Sequence, residues 1–279
     1  MLKEHQELLS KKDIRVQRGS LILRLAADAD EIRACQRLRF RVFYDERGAI
    51  ASGETTTDGT DSDRFDAICD HLVVIHQGPA SGDDAIHLSD GELIGTYRLL
   101  RQEVAEAHGG FYTQDEFDIA PLIHAHKNLR FLELGRSCVL KPFRTKPVVE
   151  LLWQGIWNYV REYDLDVMLG CASLDGTDPS RHAAGLSYLA TIASPPAEWR
   201  VRANPDRFVD MTQIPEEQID PKTALRQLPP LIKGYLRLGC YIGEGAVIDH
   251  QFNTIDVLII LPVSAINQRY FTHFGQPND

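Results

Sequence analysis

The stretch Phe131-Leu132-Glu133-Leu134-Gly135-Arg136-Ser137-Cys138-Val139 constrains this chain more than any other. Its apolar residues read as a buried strand, yet it carries a carboxylate, a guanidinium and a glycine. Side chains alternate between sheet faces along a strand, so plain alternation puts Glu133 and Arg136 on opposite faces. A glycine inside a strand often marks a β-bulge, and one extra residue at Gly135 flips the parity. Both charges then share a face. A glutamate and an arginine aimed together from a bulged strand have the character of a reactive site. The competing reading is an edge strand with a structural ion pair.

The neighbouring elements build a fold around that strand. Leu21–Ala26 reads as a first strand. Asp28 or Asp30 can cap a helix reaching about Tyr44, with Ile32, Cys35, Leu38 and Val42 at core spacing and Arg39 and Phe43 sharing a neighbouring face. Residues 47–66, rich in Gly, Thr and Asp, read as a long loop. His71–His76 and Glu92–Arg101 read as hairpin partners. Thr145 can cap a helix over 147–163 with Pro147 at its first position, where a missing N–H does no harm. Asp166–Ala172 reads as another buried strand, so a strand, a helix and a second strand form a βαβ unit. Residues 178–191 read as a helix, 195–230 as a long connection, 230–238 as a short helix and Thr254–Leu261 as a late strand. A final helix is expected to about Phe274. This order predicts an α+β fold with a mixed sheet whose central strand pair, 130–140 and 166–172, is splayed by the bulge.

The formal charge of −10 over 279 residues argues against a nucleic-acid surface. Five widely spaced cysteines with no CxxC favour free thiols in a reducing compartment over disulfides or a zinc site. The polar N-terminus lacks the apolar segment of a signal peptide, and the longest apolar run, Val257–Val263, is too short to span a bilayer. The expected location is the cytoplasm, with peripheral contact at an inner membrane left open.

The order of elements resembles the GCN5-related acyltransferase fold. The charged series Arg39, Phe43, Asp63, Asp66, Arg98, Glu133 and Arg136 resembles that of acyl-homoserine-lactone synthases and of ornithine Nα-acyltransferases. Three stretches resemble the ornithine branch: Glu133–Val139, Arg144–Ile156 and Gly170–Ser173. So does Leu231–Gly239. The resemblance covers roughly residues 20–270. Residues 1–18 read as a polar tail, 19–194 as the acyltransferase core and 195–279 as a C-terminal extension packed on it.

The resemblance also implies a chemistry: transfer of a 3-hydroxy fatty acyl group from acyl carrier protein to the α-amine of L-ornithine, giving lyso-ornithine lipid. Glu133 and Arg136 are then the catalytic pair, with Glu133 as base for the amine. Asp63 and Asp66 can hold an ammonium, or pair with arginines and only build the site. Arg39, Arg98 or Arg136 can take the carboxylate, with Phe43 beside them. Backbone N–H groups beside Gly135 can stabilise the oxyanion. Tyr188 sits where many acyltransferases of this fold place a general-acid tyrosine; a packed amphipathic tyrosine is the alternative.

Where that fold usually has a glycine-rich pyrophosphate turn, this chain has Arg144-Thr145-Lys146-Pro147, and Pro147 has no N–H to donate. That departure weakens a coenzyme A site and fits an acyl carrier protein thioester as co-substrate. Gly135, Val139, Arg144 and Lys146 are the candidates along its phosphopantetheine arm, and no bound cofactor is expected. The spacing of Asp58, Asp61, Asp63 and Asp66 lacks the calcium-loop pattern, and His124 and His126 read as surface groups, so no metal is expected. No G-x-S-x-G elbow surrounds Ser173. Rival functions are a homoserine-lactone or other N-acyl amino acid synthase, and a non-catalytic acyl- or carrier-binding module.

Overall fold

The computed structural model describes residues 13–50 and 58–266. The chain forms two compact units, one from Met1–Gly109 with Leu134–Asp164 and one from Gly110–Glu133 with Leu165–Asp279. In the first unit the strands are β1 (Arg15–Arg18), β2 (Leu21–Leu25), β3 (Asp70–His76), β4 (His87–Leu88), β5 (Gly91–Arg101) and the later part of β6 (Phe131–Val139). Their order is β1-β2-β3-β5-β6, with β4 paired on β5. The ladders β1–β2, β2–β3 and β3–β5 are antiparallel. β1 corrects the expectation of a polar tail through residue 18. Its charged RVQR sequence hides a strand that turns back on β2 through Gly19, where φ of +58° is left-handed and suits a residue without Cβ.

Two helices pack on β3, which is buried along nearly its whole length. Helix α1 (Ala29–Phe40) starts at Asp28, whose carboxylate accepts from the amides of Asp30 and Glu31. The spacing predicted one helix to Tyr44, but from Arg41 to Glu46 the backbone widens into a π-helix. Such widenings are concentrated at functional sites. Cys35, Leu38 and Val42 are buried as expected, whereas Ile32 is half-buried. Helix α2 (Lys146–Glu162) buries Val148, Leu151, Ile156 and Val160. Thr145 takes the N-cap position without a side-chain cap bond, and Pro147 stands within the first turn.

In the second unit, Phe131–Glu133 of β6 pair in parallel with β7 (Val167–Asp175), and the ladder ends after Glu133↔Leu169. The predicted βαβ unit is therefore present. The sheet order is β6-β7-β10-β9-β8, with β8 (Phe208–Val209), β9 (Tyr241–Asp249) and β10 (Thr254–Pro262) antiparallel to their neighbours. β9 was not expected, because Gly243, Glu244 and Gly245 interrupt its apolar pattern. Helix α3 (Ala183–Ile192) packs against β9, and α4 (Pro230–Leu238) against β10. The 195–230 connection contains β8 and a short helix, Pro221–Gln227, capped by Asp220. The predicted C-terminal helix falls largely beyond residue 266, outside the described residues. Among those described, no helix is long and apolar enough to cross a membrane.

One buried polar contact locks α2 onto the first sheet. The Tyr159 hydroxyl donates to Asp70 at 2.7 Å, and both residues are buried. Removing the donor leaves a buried carboxylate short of a partner, which costs about 1–3 kcal/mol. Tyr159→Phe is therefore expected to lower the urea midpoint by that amount with an unchanged denaturant slope.

Candidate active-site residues

In the first unit the structure gathers five of the predicted residues into one ion-pair cluster. Arg39, only 1% exposed, donates to Asp61 at 2.7 Å through Nε and to both oxygens of Asp66 at 2.8 Å through Nη2. Arg98 donates to Asp63 at 2.7 Å and to Asp66 at 3.3 Å. Arg136 reaches Asp63 at 3.4 Å and lies 3.5 Å from Asp61. Three arginines thus meet three aspartates. Burial pushes the Asp66 carboxyl up, but Arg39 and Arg98 outweigh it and hold the group below the usual range. Asp63 is lowered in the same way by Arg98 and Arg136. His71 donates its Nε2–H to the Asp66 carbonyl, and burial, then the Arg39 charge, lowers its pKa to about 4.

Asp61 was missed as a site residue because its spacing was read only against a calcium loop. Phe43 lies half-buried in the π-helical turn. The expected irregularity in β6 falls at Arg136, whose φ is +51°, and not at Gly135, which keeps an ordinary φ. A left-handed non-glycine residue is costly and re-aims its side chain.

Glu133 belongs to the second unit. Its Oε1 accepts from the Thr113 amide at 2.7 Å and its Oε2 from the Tyr112 amide at 3.1 Å. The same turn leads to Glu116, which is buried with Asp249 and Asp256; one oxygen from each lies within 4.8 Å of the others. Burial and the Asp256 charge push the Glu116 carboxyl up to about 7, against the pull of Arg207 at 3.7 Å. The Cys171 Sγ is 4.0 Å from Thr113 Oγ1, and burial, then the nearby Glu116 charge, pushes its thiol up. None of Glu116, Asp249, Asp256 or Cys171 was picked out as a site residue. The signal was present, since Asp256 sits inside an apolar run as Glu133 does.

The remaining candidates occupy plainer surroundings. Arg144 makes a bidentate pair with Glu46 at 2.5 and 2.7 Å and donates to the Val139 carbonyl. Lys146 is exposed, with Glu150 at 3.5 Å. Gly135 has open space where a Cβ would stand. Tyr188 is half-buried on α3. His124 is exposed, while His126 stacks on Trp199 with ring centroids 4.1 Å apart. All five cysteines are free thiols, as expected.

An L-ornithine Nα-acyltransferase of Brucella abortus is 49% identical over 258 residues, 92% of this chain and 89% of that protein. One of Rhodobacter capsulatus is 37% identical over 248 residues, 89% of this chain and 92% of that protein. The chain belongs to the L-ornithine Nα-acyltransferase family. It is an acyltransferase, and residues 38–154 match the acetyltransferase (GNAT) domain family, in keeping with the α+β fold. Among solved structures, the N-acyl amino acid synthase FeeM from uncultured soil microbes aligns with a TM-score of 0.47 at 12% identity, covering 88% of this chain and 91% of that one.

Two of the perturbed groups, His71 and Glu116, give this acyltransferase opposing pH responses. Between 6.5 and about 4, the unfolded chain protonates His71 while the folded chain refuses the proton, so stability falls as pH drops. Between 4.5 and about 7, the folded chain keeps a proton on Glu116 that the unfolded chain has lost, so stability falls as pH rises. Each contributes up to about 3 kcal/mol, and they offset in the shared window. Urea melts from pH 4 to 7 check this. His71→Gln is expected to show stability falling with rising pH, and Glu116→Gln the reverse. Slopes of one sign in both variants contradict the assignment.

Proposed function

We propose that this protein transfers a 3-hydroxy fatty acyl group from acyl carrier protein to the α-amine of L-ornithine, giving lyso-ornithine lipid in the cytoplasm. What carries the reading is identity of 37–49% with relatives named L-ornithine Nα-acyltransferase, spread over about nine-tenths of both chains. The reaction is aminolysis of a thioester. The α-ammonium gives a proton to Glu133, directly or through one water, and the free amine attacks the thioester carbonyl. The C–N bond forms, the C–S bond breaks, and the phosphopantetheine sulfur leaves as thiolate, taking up the second proton that the new amide nitrogen sheds. A thiol of ordinary pKa, about 8.5, needs little help to depart, so Tyr188 is not required as an acid.

Two amide donors, from Tyr112 and Thr113, orient the Glu133 carboxylate. Arg39 and Arg98 are committed to Asp61, Asp63 and Asp66, whereas the Arg136 side chain keeps 13% exposure against 1% and 5% for those two. Arg136 is therefore the arginine assigned to an anionic substrate group, with Asp61 and Asp63 as its support. On the donor side, the open space at Gly135 suits the phosphopantetheine arm running toward Val139. Arg144 and the exposed Lys146 supply positive charge for an acidic carrier.

Mass spectrometry of products from purified protein, 3-hydroxyacyl carrier protein and a pool of amino acids tests the reading. An N-acylornithine mass is expected. Acylation of a different amine rejects the ornithine assignment, and equal rates with acyl-coenzyme A reject the carrier preference. Glu133→Gln is expected to lower turnover by about 10²- to 10⁴-fold, the usual contribution of a general base, while retaining a cooperative melt. Wild-type turnover in that variant removes Glu133 from the role of base.

A further inference from the structure

Glu133 is aimed by a short turn, and that turn is held from elsewhere in the second unit. Tyr112–Asp115 form a single 3₁₀ turn, and the amides at its start, Tyr112 and Thr113, donate to the Glu133 carboxylate. A helical turn leaves amides unpaired at its start and carbonyls unpaired at its end. The three carbonyls at this end, of Gln114, Asp115 and Glu116, all accept from one piece of the 195–230 connection. Asn204 Nδ2 donates to Gln114 at 3.0 Å, Arg207 Nη1 to Asp115 at 3.1 Å, and the Asn204 amide to Glu116 at 2.8 Å. The turn therefore grips the base at one end and is gripped by a brace at the other.

The sequence shapes this brace locally. Asn204-Pro205-Asp206-Arg207 puts Asn first and Pro second, the residues that favour a β-turn, and the Arg207 amide closes it on the Asn204 carbonyl at 2.9 Å. Upstream, the Ala203 amide donates to the Glu244 carbonyl at 2.9 Å and the Glu244 amide to the Val201 carbonyl at 2.7 Å. Glu244 reaches outward because β9 bulges there. Ala246 faces Val257 and Ile242 faces Ile259, so Gly243, Glu244 and Gly245 stand opposite Leu258 alone. Gly245 has a left-handed φ of +83°, and a Cβ on it would strike the Phe208 ring. Arg207 also donates to the Ile248 carbonyl of β9 at 3.5 Å and lies 3.7 Å from the Glu116 carboxylate. The glycines that break the apolar pattern of β9 thus seat the brace on the sheet.

We propose that Asn204 and Arg207 are positioning residues for the reaction: they fix the Tyr112–Asp115 turn and, through its two amides, the Glu133 carboxylate. This rests on the reading of Glu133 as the general base. Proton transfer needs the base within about 2.6–3.2 Å of its partner. A shift of about 1 Å, caused by a residue far from the chemistry, can cost about 100-fold in rate. Removing either side-chain donor frees a carbonyl at the end of the turn and lets the amides, and the carboxylate with them, drift from that position.

The test is a double-mutant cycle on kcat for L-ornithine at saturating 3-hydroxyacyl carrier protein, or on whichever amine the wild type acylates in its place. Asn204→Ala and Arg207→Ala are each expected to lower kcat about 10- to 100-fold, with the KM for the amine within about twofold of wild type. In a Glu133→Gln background the same substitutions are expected to change kcat by less than about threefold, because residues that act through one group lose their effect once it is gone. Arg202→Ala removes the 3.0 Å pair with Glu244 on the same segment and leaves the turn untouched. Its kcat is expected to match wild type. Amide exchange at Tyr112 and Thr113 supplies a readout besides activity, expected to speed up in both alanine variants. Losses that multiply in full in the Glu133→Gln background overturn the proposal, as does a loss through KM alone or unchanged exchange at the two amides. Wild-type turnover in Glu133→Gln by itself instead sinks the reading of Glu133 as base, on which the proposal rests.

Discussion

A guanidinium that is 1% exposed cannot stay charged without opposite charge at hydrogen-bonding distance, and Arg39 imposes that demand on the first unit. It stands on the last turn of α1, one residue before the helix ends and two before the π-helical turn begins. Asp61 and Asp66 meet it from the loop before β3, so the loop is pinned to the helix. Breaking a buried pair on one side costs about 3–5 kcal/mol, because the remaining charge is stranded. Arg98 from β5 and Arg136 from β6 join through Asp63 and Asp66, tying two strands to the same loop. The result is neutral, three cations against three anions, with His71 beside it kept neutral by burial.

Ion pairing organises the first-unit cluster. Asp61, Asp63 and Asp66 each have an arginine within salt-bridge distance, while Nη1 of Arg39 is buried without a hydrogen-bond partner. In the second unit Glu116 has Arg207 at 3.7 Å, and Asp249 accepts from the Gln251 and Phe252 amides at 2.8 and 3.0 Å. Arg39 and Asp66, both predicted to bind substrate, are engaged with each other inside the protein.

What the residues revealed in advance follows from periodicity. The βαβ unit, α1 with its Asp28 cap, the β3–β5 hairpin and β10 all carry regular apolar spacing. β1 and β9 escaped because charge and glycine interrupt theirs, and each is held by its ladder to an apolar neighbour, β2 or β10. The irregularity in β6 was sought at Gly135 on the general preference of glycine for bulges. It lies at Arg136, where ion pairs to Asp61 and Asp63 accompany a left-handed arginine. The carboxylates of the second unit are far apart in sequence, at 116, 249 and 256, and only the sheet register brings two of them together. Single residues such as Asp256 could be noticed from the apolar run around them; their convergence could not.

An acceptor with two amines poses a problem that one base does not solve. In the proposed reaction Glu133 could deprotonate whichever amine reaches it, so acylation at the α position requires the other amine to be kept from reacting. Opposite charges around an ammonium stabilise its protonated form and raise its pKa. Hydrogen bonds donated to a carboxylate act the other way on the base: the Tyr112 and Thr113 amides stabilise the ionised form of Glu133, so a carboxylate held this way exerts a weaker grip on a proton and can pass it on.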